Sequence, residues 1–194
     1  MRINLSMIGG MSGFLGLALI FTACATSGGI KETLKLTTSL HSFERLRIEM
    51  EKGKGSKESE YREQFANMLK EKLLEGKVFK EVYTEKSKAD LIMKIHFTQI
   101  DEPSSLSASL MSASANSEVR LRADLIGALP KHRDLSSIEV SGNSKSKMRT
   151  SAGMGGMKLG LTRTKEYTET AMDNAAEQIV EYIKAHKATT STVQ

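Results

Sequence analysis

The chain has 194 residues, carries 28 Lys and Arg against 23 Asp and Glu, and contains one cysteine. This length suits one ordinary domain, and the single cysteine excludes both an intramolecular disulfide and a zinc site built on cysteine pairs. The basic residues are interspersed with acidic ones and aromatic residues make up 5% of the chain, which argues against a nucleic-acid-binding surface. We therefore expect no nucleic-acid partner and a fold held together by its apolar core.

The amino-terminal segment is predicted to be an export signal. Arg2 is its one charged residue, and an uncharged apolar run covers residues 7–23, as in secretory signal sequences. The run ends in FTAC at residues 21–24, which resembles the lipobox of bacterial lipoproteins. That resemblance implies cleavage before Cys24 and attachment of acyl chains, such as palmitate, to this residue. Because Ala25 and not aspartate follows, it also implies the outer membrane in a bacterium with two membranes.

Two alternatives stay open for this segment. An apolar run of this length is at the lower limit for spanning a bilayer, so an uncleaved signal anchor is one, and an ordinary cleaved signal without lipid is the other. We interpret residues 1–23 as a lipoprotein signal peptide and residues 24–40, which are small, polar and threonine-rich, as a flexible tether. A short strand at Thr33–Thr37 is possible within the tether.

A strand and a helix are predicted next. Leu46, Ile48 and Met50 alternate with charged residues, which is typical of a half-buried strand. A helix is predicted over residues 57–75, with Gly76 as its left-handed carboxy-terminal cap. A four-residue apolar repeat predicts the buried face of this helix, made of Tyr61, Phe65, Met68, Leu69 and Leu73.

Four consecutive strands are predicted to follow. They begin near Val78, Leu91 and Glu118, with the last around Ile138 and Val140. The second of these is apolar on both faces for part of its length, which is typical of a central strand. The predicted loops are the serine- and alanine-rich residues 104–117 and the glycine- and methionine-rich residues 149–163.

A closing helix is predicted over residues 165–186, with Thr164 as its N-cap. We predict one periplasmic domain over residues 41–187 and a disordered tail over residues 188–194. The order strand, helix, four strands, helix indicates an α+β fold. We expect a single mixed, mostly antiparallel sheet of about five strands with two helices on one face.

The arrangement over residues 41–186 resembles a family of small bacterial lipoproteins of unknown function, whose periplasmic domain is similar to the amino-terminal domain of TolB and to the lipoprotein of the curli secretion channel. The resemblance rests on the helix end and short strand at Leu73, Gly76, Phe79 and Val82, on the strand opening at residues 89–91, and on Ala171, Ala175 and Ala176. The turn at residues 127–134 departs from the hairpin that such domains often carry. The resemblance implies architecture and a periplasm-facing location, and it implies no chemistry.

No catalytic, cofactor or metal site is predicted. The four histidines are too far apart in sequence for metal-ligand spacing, and packed or surface positions are the better interpretation for them. Lys158 in the glycine-rich stretch is followed by leucine, whereas a phosphate loop requires serine or threonine there. Asp101 and Glu102 are adjacent in a strand and so point to opposite faces; we predict that they, like Asp90, are turn residues.

The leading functional hypothesis is a lipid-anchored lipoprotein that faces the periplasm and acts as a non-catalytic protein-interaction or envelope-assembly module. Its expected partners are the membrane, through acyl chains on Cys24, and another envelope protein. The alternative is a periplasmic small-ligand-binding protein or an enzyme whose site is not visible from sequence spacing. Methionine in the predicted loops suits adaptable apolar contacts, although the loops are equally well interpreted as inert connectors.

Overall fold

The computed structural model describes residues 29–52, 56–103, 116–128, 132–144 and 160–188. Its elements confirm the predicted α+β class, with two helices and one six-stranded mixed sheet in these ranges. The signal peptide, Cys24, most of both predicted loops and residues 189–194 lie outside the described residues. The elements are β1 (Gly29–Leu34), β2 (Arg45–Met50), α1 (Ser56–Glu75), β3 (Glu81–Tyr83), β4 (Leu91–Asp101), β5 (Glu118–Gly127), β6 (Arg133–Asn143) and α2 (Gly160–Ala188).

The strands of the sheet follow the order β1-β6-β5-β4-β2-β3. Strand β2 pairs in parallel with β3 and with β4, and the remaining pairs are antiparallel. A parallel pair needs a long crossover connection, and α1 supplies it between β2 and the strands on its two sides. Strand β4 lies inside the sheet, as its two-sided apolar pattern predicts.

Both helices cover one face of the sheet and enclose the core. Phe65, Leu69 and Leu73 are fully buried, so the predicted apolar stripe of α1 is confirmed. The Phe65 ring meets the Phe97 ring of β4 edge to face, with 5.4 Å between centroids, a favourable geometry for aromatic pairs. The opposite face of the sheet is polar apart from the buried pair Ile92 and Ile126: Arg122 and Glu139, for example, lie in register on β5 and β6.

Helix α2 approaches β6 at Gly142. A Cβ atom at this glycine would lie 2.1 Å from the carbonyl oxygen of Ala171 and 3.0 Å from the Cβ of Ala175. The close approach therefore requires glycine on the strand and small residues on the helix. For this reason Ala171 and Ala175 of α2 pack directly on the sheet.

The helix ends differ from the prediction in two places. Helix α2 begins at Gly160, so Thr164 lies within the helix and is not its N-cap. The left-handed residue after α1 is Lys77, with φ of 51°, and not Gly76. The amide of Lys77 donates to the Leu74 carbonyl and that of Val78 donates to the Leu73 carbonyl, the pattern of a Schellman motif displaced by one residue from the glycine.

The sheet also extends into the segment interpreted as a tether. Strand β1 covers Gly29–Leu34 and pairs antiparallel with β6, whereas the sequence suggested a strand at Thr33–Thr37. Backbone pairing is reinforced by the Thr33 hydroxyl, which donates to the Ser137 carbonyl at 3.1 Å. Strand β1 is the sixth strand of the sheet. Since it begins at Gly29, only four residues separate Cys24 from the sheet.

Candidate functional site

The sheet register gathers several chain segments at one end of the domain, which we call the tether end. Gly29 begins β1 opposite Ser141, near the end of β6, and Asp101 ends β4 opposite Glu118, the first residue of β5. The amino-terminal part of α2 lies at the same end, because the Thr168 hydroxyl is 3.1 Å from that of Ser117. Cys24, the predicted lipid-attachment residue, therefore precedes the tether end.

The two helices run parallel and finish together at the opposite end. Lys165 contacts Glu60 at 2.9 Å near their starts, and Lys72 contacts Asp173 at 2.7 Å further along. Helix α1 ends at Glu75, and the following turn lies against the last turns of α2. We call this region the basic end, since it carries Lys77, Lys80 and Lys187.

A groove of about 570 Å³ opens at the basic end, and we call it the basic groove. It is formed where the end of α1, the end of α2 and the approach to β2 meet. Of its lining side chains, three are lysines, one is a histidine and one is acidic, while the others are apolar. The lining residues are His41, Glu44, Leu74, Lys77, Val78, Phe79, Lys80 and Lys187.

Lys187 is fixed in this groove by contacts with three residues. Its Nζ donates to the carbonyl oxygens of Phe43 at 2.7 Å and Val78 at 2.6 Å. The same ammonium lies 4.2 Å from the centroid of the Phe79 ring, within the range of a cation–π interaction. Burial lowers the pKa of Lys187, so the fold holds this ammonium at a desolvation cost.

The other two lysines are held more loosely. Lys80 pairs with Glu44 at 2.6 Å, but their side chains are 72% and 55% exposed, and ion pairs as exposed as this contribute little to stability. Lys77 has the left-handed backbone conformation described above, which costs a residue with a Cβ atom about 1–2 kcal/mol. Its position after α1 brings it to the rim of the groove.

A second depression, of about 430 Å³, lies on the other side of the α2 terminus. Here the Tyr182 hydroxyl donates to Glu32 Oε1 at 2.8 Å and lies 2.9 Å from Ser136 Oγ. Burial raises the pKa of Tyr182 to about 12. The His186 ring packs on that of Tyr182 with centroids 4.2 Å apart, in agreement with a packed histidine. This cluster ties β1 to α2.

A polar cluster at the tether end is satisfied internally. The Ser117 hydroxyl donates to the Asp101 carbonyl at 2.7 Å, and the Ser117 amide donates to Ser144 Oγ at 2.9 Å. Glu102, which the sequence suggested as a solvated turn residue, is half-buried and accepts a hydrogen bond of 2.6 Å from the Tyr61 hydroxyl. Buried polar groups that satisfy one another are ordinary structural features, so this cluster needs no ligand.

Asp90 also has a structural role. It accepts hydrogen bonds from Arg45 Nη2 at 2.7 Å, from Arg45 Nε at 3.3 Å and from the Arg45 amide at 3.2 Å. The side-chain hydrogen bonds from Arg45 lower the pKa of Asp90. The pair joins the start of β2 to the start of β4.

The described residues offer neither a metal site nor a membrane-spanning helix. No group of three or more His, Cys, Asp or Glu side chains within them is placed to hold a metal ion. None of the helices in these ranges is both long enough and apolar enough to cross a bilayer. The basic groove is the feature that sequence reasoning missed, because its lysines come from two segments that are far apart in the chain, Lys77 with Lys80 and then Lys187.

No protein-family model matches the chain, and no curated protein matches it. Among solved structures, similarity extends to a protein assigned as a lipoprotein from Caulobacter crescentus, at 13% identity, covering 76% of this chain and 93% of that one with a TM-score of 0.45. The rare lipoprotein B from Shewanella oneidensis matches at 12% identity over 73% of this chain and 94% of its own, with a TM-score of 0.36. A PelC dodecamer from Paraburkholderia phytofirmans matches at 9% identity over 77% and 97%, with a TM-score of 0.38. From similarities this distant we draw no conclusion on function or location.

Proposed function

We propose that the protein is an outer-membrane lipoprotein, anchored by acyl chains on Cys24, whose periplasmic domain binds another envelope protein without catalysing a reaction. The observation that carries this proposal is the position of β1. Gly29 is fixed in the sheet five residues after Cys24, and five extended residues reach at most about 18 Å. Lipid on Cys24 would hold the tether end close to the bilayer.

The attachment is strong enough to transmit that constraint to the domain. Strand β1 is paired with β6 along its length, and the Tyr182 hydroxyl bonds to Glu32 in its middle. Several acyl chains anchor a protein far more firmly than one, since each buried CH₂ contributes about 0.8 kcal/mol. With the tether end at the membrane, the basic end is turned away from it and towards soluble partners.

Mass spectrometry of the amino-terminal peptide tests the anchoring. We expect a mature chain that begins at Cys24 and carries acyl chains, and a Cys24→Ser variant that carries none. The matched variant Ala25→Asp should keep its acyl chains but remain at the inner membrane. The resemblance to bacterial lipoproteins implies this retention when aspartate follows the cysteine. An intact Met1 or an unmodified Cys24 would contradict the proposal and favour the signal-anchor alternative.

A further inference from the structure

We propose that the basic groove binds an extended acidic peptide segment of a partner protein, with an apolar side chain of that segment packed against Leu74. This inference deepens the proposed function in one respect, since it is lipid on Cys24 that turns the groove away from the bilayer. The ligand class follows from three properties of the groove: its charge, its apolar surface and its size.

The charge of the groove is positive. Lys77, Lys80 and Lys187 line it together with a single carboxylate, that of Glu44. The carboxy-terminal ends of α1 and α2 add partial negative charges of about half a unit each, which stabilise the lysines and still leave a positive excess. An anionic group entering the groove would therefore meet favourable potential, and Lys187 is already held there by the carbonyls of Phe43 and Val78.

The groove also has an apolar side, which a free inorganic anion would not use. Leu74 is 39% exposed, although most large apolar side chains of the described residues are buried. Its neighbours in the lining, Val78 and Phe79, are only 6% and 5% exposed, so Leu74 supplies the apolar surface of the groove. Covering this surface would add apolar burial to the charge contacts, so the groove matches a segment with both acidic and apolar side chains.

The backbone conformation of Lys77 also contributes to the groove. A left-handed residue favours glycine, and Gly76 is immediately before it, yet the lysine occupies that conformation. This conformation belongs to the Schellman motif that ends α1. Here the consequence is an additional cation on the groove rim.

The size of the groove favours a peptide over a single phosphate. Its volume of about 570 Å³ is in the range of sites that take organic ligands. Lys77 and Lys80 lie on the connection between α1 and β3, and Lys187 lies at the end of α2. Cations carried by separate elements suit acidic side chains that are spread along a segment.

Fluorescence anisotropy with a labelled peptide, EDLEFDE, tests this inference on the full chain in neutral detergent. We expect saturable binding that weakens as salt increases, and no binding of the basic counterpart KKLKFKK. The double variant Lys77→Glu/Lys80→Glu should weaken binding at least tenfold. Its matched control is Lys31→Glu/Lys52→Glu: these lysines do not line the basic groove, and Lys31, like Lys80, loses an exposed ion pair, the one with Glu139.

The results of this experiment either support or overturn the inference. The inference stands if the control double variant stays within twofold of the unchanged chain and if the apolar-free peptide EDSESDE binds at least tenfold more weakly. It is overturned if both double variants weaken binding equally, if EDSESDE binds as well as EDLEFDE, or if inorganic phosphate or phosphatidylglycerol added to the detergent micelles displaces the peptide completely. Binding in detergent does not require lipid, so the Cys24→Ser chain should bind equally, and failure here would leave the anchoring proposal untouched.

Discussion

At the scale of single residues, Gly142 sets how closely α2 can pack on the sheet. We predict that Gly142→Ala destabilises the domain by about 3 kcal/mol or more, since its Cβ would meet the backbone oxygen of Ala171 at 2.1 Å and overpacked sites typically cost 1–3 kcal/mol. Urea unfolding would measure the change. Gly127→Ala is the control, because its Cβ would lie at an ordinary 3.7 Å from Leu135. Equal stability of the two variants would show that α2 does not pack as described.

Asp90 is predicted to contribute stability that depends on pH. Because the hydrogen bonds from Arg45 lower its pKa in the folded state, its contribution is fully present above the ordinary carboxyl pKa and is lost as pH falls through the folded value. Asp90→Asn should therefore lower stability at pH 7 and flatten the decline of stability below about pH 4. Urea midpoints measured from pH 7 to pH 2 would check this, with Asp134→Asn at an exposed position as control. A decline as steep in the Asp90→Asn variant as in the unchanged chain would argue against the pairing.

Single residues also show where sequence reasoning was insufficient. The turn after α1 was predicted from Gly76, because glycine is the usual left-handed cap, but the hydrogen bonds place Lys77 in that conformation. Cap position depends on where the last helical bonds form, and one residue of displacement leaves the apolar stripe unchanged. The order of residues therefore predicts where a helix ends better than it predicts which residue adopts the left-handed conformation.

At the scale of elements, the apolar face of α1 is expected to supply much of the core. We predict that Phe65→Ala and Leu69→Ala each destabilise the domain by about 2–5 kcal/mol, the usual range for large-to-alanine changes at buried positions, since both side chains are fully buried. Urea unfolding of the full chain in detergent would measure this. Asn67→Ala, on the exposed side of the same helix, should change stability by less than about 0.5 kcal/mol. Similar effects of all three changes would mean that the buried face is wrongly assigned.

The elements that sequence reasoning predicted are those with strong periodicity. Helix α1 and strands β2, β4 and β5 bury every second or every third to fourth residue, and that pattern is visible without a structure. Strand β1 was harder because all six of its residues are exposed. An edge strand held by backbone pairing and by polar side-chain contacts leaves almost no apolar signal in the sequence.

At the scale of the whole molecule, the domain has two chemically different ends. The α+β class and its mixed sheet follow from the order of the predicted elements, whereas the basic groove does not, because the sequence does not reveal that Lys77, Lys80 and Lys187 converge. The parallel course of α1 and α2 brings these lysines together and keeps them far from Gly29. Anchoring and partner binding can therefore take place at opposite ends of one sheet.

The orientation of the domain on a membrane is the most direct test of the account. With lipid on its sulfur, as proposed, Cys24 cannot react with a thiol label, so a single introduced cysteine, at Asp101 on the tether end or at Lys80 on the basic end, can be labelled alone in the full chain. The two positions are separated by about the length of β4, whose 11 residues span roughly 33 Å from first to last Cα at 3.3 Å per step. Energy transfer to a headgroup acceptor in liposomes would then compare their distances from the bilayer.

We predict clearly stronger energy transfer from position 101 than from position 80, and comigration of both labelled chains with the liposomes. Equal transfer from the two positions, or stronger transfer from position 80, would contradict the proposed orientation. A chain that does not associate with liposomes at all would contradict the lipid anchor itself.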